Sequence, residues 1–493
     1  MRERDCEAAA PALPRAIDTL SNVAEYHVEN FGCRASRSDG EAIASALRQR
    51  GMEEASHSAA AAVVIVNTCS VTAEADRDAR AYLRRVRRQN PQARVIVTGC
   101  YAQRAPQELA ALPEVNAVVG NSHKSMVADL AEKFAFDHFS YQPPFQGKDA
   151  AAGAKRADEV SQTHETRSDL VPLSSLAPAV FVDETFAHTE LTALPFAADA
   201  LQTRPNLKVQ DGCGNRCSFC IIPATRGSSR SMPLEDCLVN VGRFVELDGT
   251  ELVLSGINLG RWGRDLQPAR RFEELVRAIL ETTTLPRLRL SSIEPMDWSP
   301  ELLALYREFA TGAHPRLARH THLPLQSGSD TVLRWMYRRY RPWHYAERLA
   351  HIRELLPEAA IGADVMVGFP GETDALFEES LRFIEAQPFT YLHLFPFSAR
   401  PGTPGWELHR RNPVPVPAVK ERMSALRSLA AEKSRVFRSG LVGQSLSTVT
   451  IDSGEGVSDN FVKVTLREPA AANWLIPVRV DGLTAEGVAG SHL

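Results

Sequence analysis

The segment CGNRCSFC carries Cys213, Cys217 and Cys220 in a C-x3-C-x2-C spacing. Three thiolates with no fourth beside them leave one iron of a 4Fe–4S cube without a protein ligand. An open iron can take a small chelating molecule. S-adenosylmethionine fills that role through its amino and carboxylate groups. One electron from the cube then breaks the sulfonium into methionine and a carbon radical. A zinc knuckle is the plainer alternative. Zinc sites normally use four ligands, often in C-x2-C pairs, and no further Cys or His lies close to this segment.

Three more cysteines, Cys33, Cys69 and Cys100, stand in FGC, NTC and TGC. Each follows a predicted strand. In a parallel sheet the carboxyl ends of the strands face one crevice, so cysteines far apart in sequence would meet there. Each is preceded by Gly or Thr, small residues that let the backbone approach a bulky group. Three thiolates again suit a cube with one free iron. The bland reading is three buried core cysteines, and placement at three successive strand ends weighs against it. Of the remaining two of the eight cysteines, Cys6 lies in the leader. Cys237 sits in a helical pattern with Leu234, Val241 and Phe244 and reads as core.

These cysteines need elements to position them. Residues 1–22 read as a disordered leader. Residues 23–136 alternate strand and helix: His27–Phe31, Ala62–Val66, Arg94–Thr98 and Asn116–Val119 as strands, Gly40–Gln49 and Glu74–Gln89 as helices. That alternation predicts a parallel α/β domain. Residues 137–200, rich in Ala, Pro, Gly and charge, read as a low-complexity linker. A second alternating series fills 201–440. Its strands are Leu207–Gln210, Glu251–Ser255, Arg287–Ser291, Thr321–Pro324, Ile361–Val367 and Tyr391–Phe395. Helical patterns such as Pro233–Glu246, Ser299–Phe309 and Ala375–Glu385 lie between them. Periodicity alone allows an open doubly wound sheet or a partial barrel here. A helix over Ala418–Ser439 leads to short strands at Ser447–Asp452, Phe461–Leu466 and Val478–Val480. Residues 441–493 therefore read as a small β-barrel.

The chain's 493 residues suit two or three domains. Hydrophobic content of 44% and charged content of 24% fit a globular chain. No apolar run reaches membrane-spanning length and no signal-peptide order opens the chain, so the expected compartment is the cytoplasm. Net charge is −4, yet basic residues cluster. Residues 77–94 hold seven Arg against one Asp, 314–354 eight Arg against three acids, and 405–440 eight basic residues against three acids. Separate basic patches on a near-neutral chain can track a phosphate backbone, or simply solvate helix faces.

The stretch KVQDGCGNRCSFCIIPATRGSSRSMP resembles the radical-SAM methylthiotransferases, most of all the tRNA threonylcarbamoyladenosine branch. VVIVNTCSVT, VIVTGCYAQR, LSGINLGRWG, LRLSSIEP, HLPLQSGSDTVLRWMYRRY and DVMVGFPGET extend the likeness over about 33–465. The resemblance implies an N-terminal methylthiotransferase domain, a central partial (βα)6 barrel and a C-terminal module of the TRAM type. It implies 4Fe–4S clusters on Cys33, Cys69 and Cys100 and on Cys213, Cys217 and Cys220, the latter three catalytic. One S-adenosylmethionine would methylate a sulfur held at the first cluster and a second would be cleaved at the other. Glycines and polar groups at strand ends, Gly256, Glu294, Gln326 and Gly368, would contact S-adenosylmethionine. Arg226 and Arg230, after the cluster loop, would meet a carboxylate or phosphate, or lie on the surface. The family usually has an Asn three residues after the first cysteine, whereas here Cys33 is followed by Arg34, Ala35, Ser36 and Arg37.

Within the family the targets are an isopentenyl- or threonylcarbamoyl-adenosine beside the tRNA anticodon, or an aspartate of a ribosomal protein. The branch motifs favour C2 of N6-threonylcarbamoyladenosine. Implied partners are the tRNA anticodon stem-loop, an electron donor of the flavodoxin or ferredoxin type, and a sulfur donor. An iron–sulfur tRNA-binding sensor is the non-enzymatic alternative. It would keep the six cysteines without needing the glycine-lined strand ends.

Overall fold

The computed structural model describes residues 24–136, 178–183, 186, 203–312 and 314–493. The leader and nearly all of the 137–200 segment lie outside these residues.

The first domain is one parallel sheet. Its strands are β1 (Glu25–Asn30), β2 (Glu53–Glu54), β3 (Val63–Thr68), β4 (Arg94–Gly99), β5 (Ala117–Gly120) and β6 (Ala179–Phe181), in the order β2-β1-β3-β4-β5-β6. β3 reads VVIVNT and is buried along its whole length, as a strand covered on both faces must be. The helices Arg34–Gln49 and Met126–Phe136 pack Ile43, Leu47 and Val127 onto one face. The helix Ala73–Gln89 packs Ala79, Leu83 and Val86 onto the other. Thr72 caps that helix by accepting from Ala75 N, with Glu74 and Asp76 in the first turn and Arg87 and Arg88 in the last. Both choices complement the helix dipole. β6 falls inside the segment read as linker. Its three residues add an edge strand parallel to β5. Three residues are too few to show a period, so only pairing reveals them.

The second domain brings β7 (Asn206–Asp211), β8 (Arg230–Ser231), β9 (Glu251–Gly256) and β10 (Arg287–Leu290) into one sheet. A second holds β11 (His320–His322), β12 (Ala360–Val367) and β13 (Tyr391–Pro396). The backbone pairing of Leu288 with Leu317 joins the two into a parallel series β7-β9-β10-β11-β12-β13. This is the partial barrel, and its outer helices bury a single large core that includes Leu254, Val276, Leu290, Leu305 and Val365. Cys237 is completely buried in that core.

β14 (Ser445–Thr450), β15 (Glu455–Ser458), β16 (Lys463–Leu466), β17 (Leu475–Leu483) and β18 (Val488–His492) close a small barrel. β15 and β18 go beyond the strands read from sequence; both are short and interrupted by glycine. This barrel caps the amino-terminal ends of the second domain's strands. Arg287 donates to Ser447 O (2.8 Å), and Arg289 donates to Ser458 O (2.9 Å) and Asp459 O (3.0 Å). Both guanidiniums also hold the buried Glu251. Burial opposes ionisation of Glu251, yet Arg289, Arg287 and Arg204 keep its carboxyl well below the usual range. The opposite, carboxyl-terminal ends of the strands carry the cysteine loop and the residues Arg226 and Arg400 that reach the first domain. No described helix is long and apolar enough to cross a membrane.

Candidate active site

Cys33, Cys69 and Cys100 lie at the carboxyl ends of the neighbouring strands β1, β3 and β4. Cys69 and Cys100 are buried. The backbone comes as close as small residues permit. Gly32 has φ +108°, and a Cβ there would stand 2.6 Å from Cys69 Sγ. Gly99 has φ +96°, and a Cβ there would stand 2.2 Å from Thr68 O. Both positions require glycine. Val71 N donates to Cys69 Sγ (3.5 Å) and Asn121 Nδ2 to Cys100 Sγ (3.5 Å). The Cys33 thiol is pulled well below its ordinary pKa, first by its hydrogen bond with Cys69 and also by the charge of Arg226. Cys69 is pushed up in turn, by that same bond and by burial. Where the family has Asn, Ser36 O accepts from Asn67 Nδ2 (2.5 Å), and Asn67 Nδ2 also donates to Asn30 Oδ1 (2.9 Å). Two asparagines from neighbouring strands thus supply amides beside this turn.

Cys213, Cys217 and Cys220 lie on the loop between β7 and the short helix Ile222–Arg226. All three are partly exposed. Asn215 N (3.4 Å) and Asn258 Nδ2 (3.6 Å) donate to Cys213 Sγ. Arg338 Nη1 donates to Cys217 Sγ (3.3 Å), while its Nη2 holds Glu294 Oε2 at 2.6 Å. Burial works against the Arg338 charge, but Tyr340, Glu294 and Cys217 outweigh it and lock the cation in. Burial pushes the Cys220 thiol up to about 12 and raises that of Cys213. A cleft opens beside Cys217, lined by Asn215, Arg261, Glu294, Asp297, Arg338 and Tyr340.

Both trios fit an iron–sulfur cube. All seven described cysteines are free. Among the described residues, the one group of three ligand side chains with donor atoms all within 4.8 Å is His322, Asp364 and His393. Each cysteine trio offers three thiols and no fourth, the donor set of a cube with one open iron, whereas a structural zinc site uses four ligands. Hydrogen bonds to the sulfurs are the usual means of tuning such a group.

The expected S-adenosylmethionine contacts divide. Glu294 lines the cleft beside Cys217. Gly256 closes β9, where a Cβ would meet Gln210 Oε1 at 2.9 Å. Gln326 is buried with φ +67°, and its Oε1 has no hydrogen-bond partner. Gly368 has φ +78°, but what comes close is Val419 Cγ2, 2.6 Å from a notional Cβ. Its glycine therefore serves the approach of the helix Val416–Ser439. Arg226 is no surface residue. It is buried and bonds both Asp211 oxygens (3.0 Å each) and Asp39 Oδ2 (2.9 Å), tying the second domain to the first. Arg230 is half-buried and donates to the carbonyls of Arg226 and Ser228.

Sequence reading missed Arg338, Asp39, Asn121 and the polar wall formed by His322, Asp364 and His393. Asp364 alternates with the core residues Ala363 and Val365 on β12, a period-two signal that was available. Arg338 stands among several arginines and carries no local mark. The basic patches also resolve unevenly. Arg77, Arg84, Arg85 and Arg88 form an exposed helix face. Arg316 and Arg353 instead each satisfy three or more backbone carbonyls, and Arg422 holds Glu372.

Comparison with known proteins agrees with this architecture. Residues 25–120 match the family described as "Uncharacterized protein family UPF0004", and residues 207–384 match the Radical SAM superfamily. The chain is 32% identical over 436 residues to the threonylcarbamoyladenosine tRNA methylthiotransferase MtaB of Aquifex aeolicus, covering 88% of this chain and 95% of that protein. It is 31% identical to the MtaB of Bacillus subtilis, with 89% of each chain covered. The chain belongs to the radical-SAM methylthiotransferase family, MtaB type. Methylthiotransferases of this family are enzymes, and membership brings an iron–sulfur cluster and S-adenosylmethionine as cofactors. A related protein named tRNA-2-methylthio-N(6)-dimethylallyladenosine synthase, from Thermobifida fusca, is 30% identical over 94% of this chain and 84% of its own. Among solved structures, the radical S-adenosylmethionine methyltransferase TsrM from Kitasatospora setae aligns with TM-score 0.51 at 15% identity. That alignment covers 80% of this chain and 78% of that one, a likeness of fold.

Proposed function

We propose that this methylthiotransferase adds a methylthio group to C2 of N6-threonylcarbamoyladenosine, 3′-adjacent to the anticodon in tRNA, using two 4Fe–4S clusters. The observation that supports this reading is that the segment following one cysteine trio packs against the other. Thr225, five residues after Cys220, gives its carbonyl to Asn121 Nδ2 (2.8 Å), and the same nitrogen meets Cys100 Sγ (3.5 Å). Relatives of the threonylcarbamoyladenosine type, at 30–32% identity, support the substrate. The dimethylallyladenosine relatives make isopentenyladenosine the alternative target.

Cys213, Cys217 and Cys220 would hold the radical cluster, and Cys33, Cys69 and Cys100 the one that carries sulfur. When bound, these groups supply the electron for S-adenosylmethionine cleavage and the sulfur to be transferred. The chain supplies placement. Arg338 fixes the Cys217 sulfur and aims Glu294 into the cleft, where its carboxylate can accept from an amino group or ribose hydroxyl. Asn258 steadies Cys213 from the end of β9. Docking of the second domain brings Arg226 to the first trio, where Cys69 and Cys100 are buried and Cys33 stays exposed, while a cleft opens beside Cys217. The exposed Arg face of the helix Ala73–Gln89 offers cations to a phosphate backbone.

The deciding measurement is mass spectrometry of nucleosides from tRNA of a deletion strain, with and without the restored gene. Loss of 2-methylthio-N6-threonylcarbamoyladenosine alone supports the reading. Loss of 2-methylthio-isopentenyladenosine instead moves the enzyme to the other branch, and no change in either nucleoside refutes both.

A further inference from the structure

The ion pairs between the first and second domains carry more positive than negative charge. Asp39 and Asp211 are met by Lys124, Lys208 and Arg226, so two carboxylates face three cations. Asp76 is met by Arg104 and Arg400, and Arg104 also reaches Glu108 (3.9 Å), so this second group is two carboxylates and two cations. Arg226 and Arg400 come from the second domain and cross into the first. A buried surplus charge is costly unless an opposite charge stands near.

The first-domain cysteine trio stands near both. Asn121 links the residue before Arg226 to Cys100 Sγ. Arg104 Nε donates to Ser70 Oγ (2.7 Å), next to Cys69, and Arg400 Nε to Val71 O (3.4 Å), two residues on. Arg226 Nε is buried with no hydrogen-bond partner among the described residues. Three thiolates around a four-iron cube leave that site net negative, and one-electron reduction makes it more so.

Resting on the reading that Cys33, Cys69 and Cys100 hold a cube, we propose that Arg226 is the positioning and charge-balancing residue of the first-domain cluster. Its cation offsets the cluster's charge and raises its reduction potential, because a nearby positive charge favours the more negative, reduced form. The second domain, through a loop that begins at its own cysteines, thereby sets the electronic state of the first.

The test uses the full chain with Cys213, Cys217 and Cys220 all changed to Ala, reconstituted anaerobically with iron and sulfide so that one cluster remains. Iron content and an EPR-monitored potentiometric titration are compared for Arg226→Gln, Arg226→Lys and Asp39→Asn. Arg226→Gln should keep its iron while its potential falls, with a reduced-to-oxidised ratio at least tenfold lower at fixed potential. For one electron that is about 59 mV. Arg226→Lys should stay near the parent. Asp39→Asn removes a negative charge from the same network, so its potential should rise. A purely structural role would move Arg226→Gln and Asp39→Asn the same way. Shifts of the same sign, or none with iron retained, overturn the proposal. If Arg226→Gln does not fold, the signs for Arg226→Lys and Asp39→Asn decide. No iron in the parent variant would instead refute the first-domain cluster itself, and this inference with it.

Discussion

The two cysteine trios use the same number of thiols and opposite construction. The trio at 213–220 is local. One loop carries all three cysteines, they remain partly exposed, and a cleft lies beside them. The trio of Cys33, Cys69 and Cys100 is assembled by three strand ends, with Cys69 and Cys100 buried and Cys33 exposed. Its surroundings are cationic, whereas Arg338 beside Cys217 is matched by Glu294. A local loop can stay open to a substrate-sized ligand because its geometry does not depend on closure. A trio gathered from a sheet is spaced by the strands that carry it, whatever lies above.

Breaking the local trio should have the largest effect. Cys217→Ala is expected to abolish 5′-deoxyadenosine formation from S-adenosylmethionine and dithionite, leaving a folded protein with roughly half the iron, as two independent cubes demand. Cleavage at the wild-type rate would remove these cysteines from catalysis. Next, Cys69→Ala should still form 5′-deoxyadenosine yet leave the tRNA nucleoside without its methylthio group. Full methylthiolation by that variant would reject the role given to the first-domain cysteines. Loss of both activities with the radical cluster intact would mean that the trios act as one.

The remaining effects are smaller. Arg338→Met removes the cation that Cys217 and Glu294 share, and should lower S-adenosylmethionine cleavage by about 10- to 100-fold, as loss of a partner that orients a ligand usually does. An unchanged rate would make Arg338 a packing residue. Gly368→Ala should cost about 1–3 kcal/mol, since it strains a positive-φ position and strikes Val419. Thermal unfolding reads the loss, with the KM for S-adenosylmethionine unchanged. A raised KM at full stability would return Gly368 to the cofactor site. Smallest of all, deletion of 148–168 should leave activity nearly intact, because that composition lacks the apolar surface to fold. A fall in melting temperature would show that the segment packs.

Much of the frame was legible. The predicted strands His27–Phe31, Ala62–Val66, Arg94–Thr98 and Ile361–Val367 each fall on an observed one, and the last three do so because buried parallel strands are written as apolar runs. Cys237 reads as core and is core. Short strands such as β6, β15 and β18 stayed hidden, since a few residues carry no period and only their partners define them. The meaning of arginine was least legible. Arg77 and Arg84 face outward, yet Arg226, Arg287, Arg289 and Arg338 are buried in ion pairs. Nothing local separates the two sorts.

By itself the sequence determined which atoms could ligate a metal and the alternation of strand and helix, because thiol spacing and hydrophobic period are local properties of the chain. Only the tertiary structure decided that the segment after Cys220 packs against the first trio, that Arg226 faces that trio, and that Gly368 makes room for a helix. Those facts depend on residues distant in sequence becoming neighbours, and charge and steric contact act through space, where sequence distance has no force.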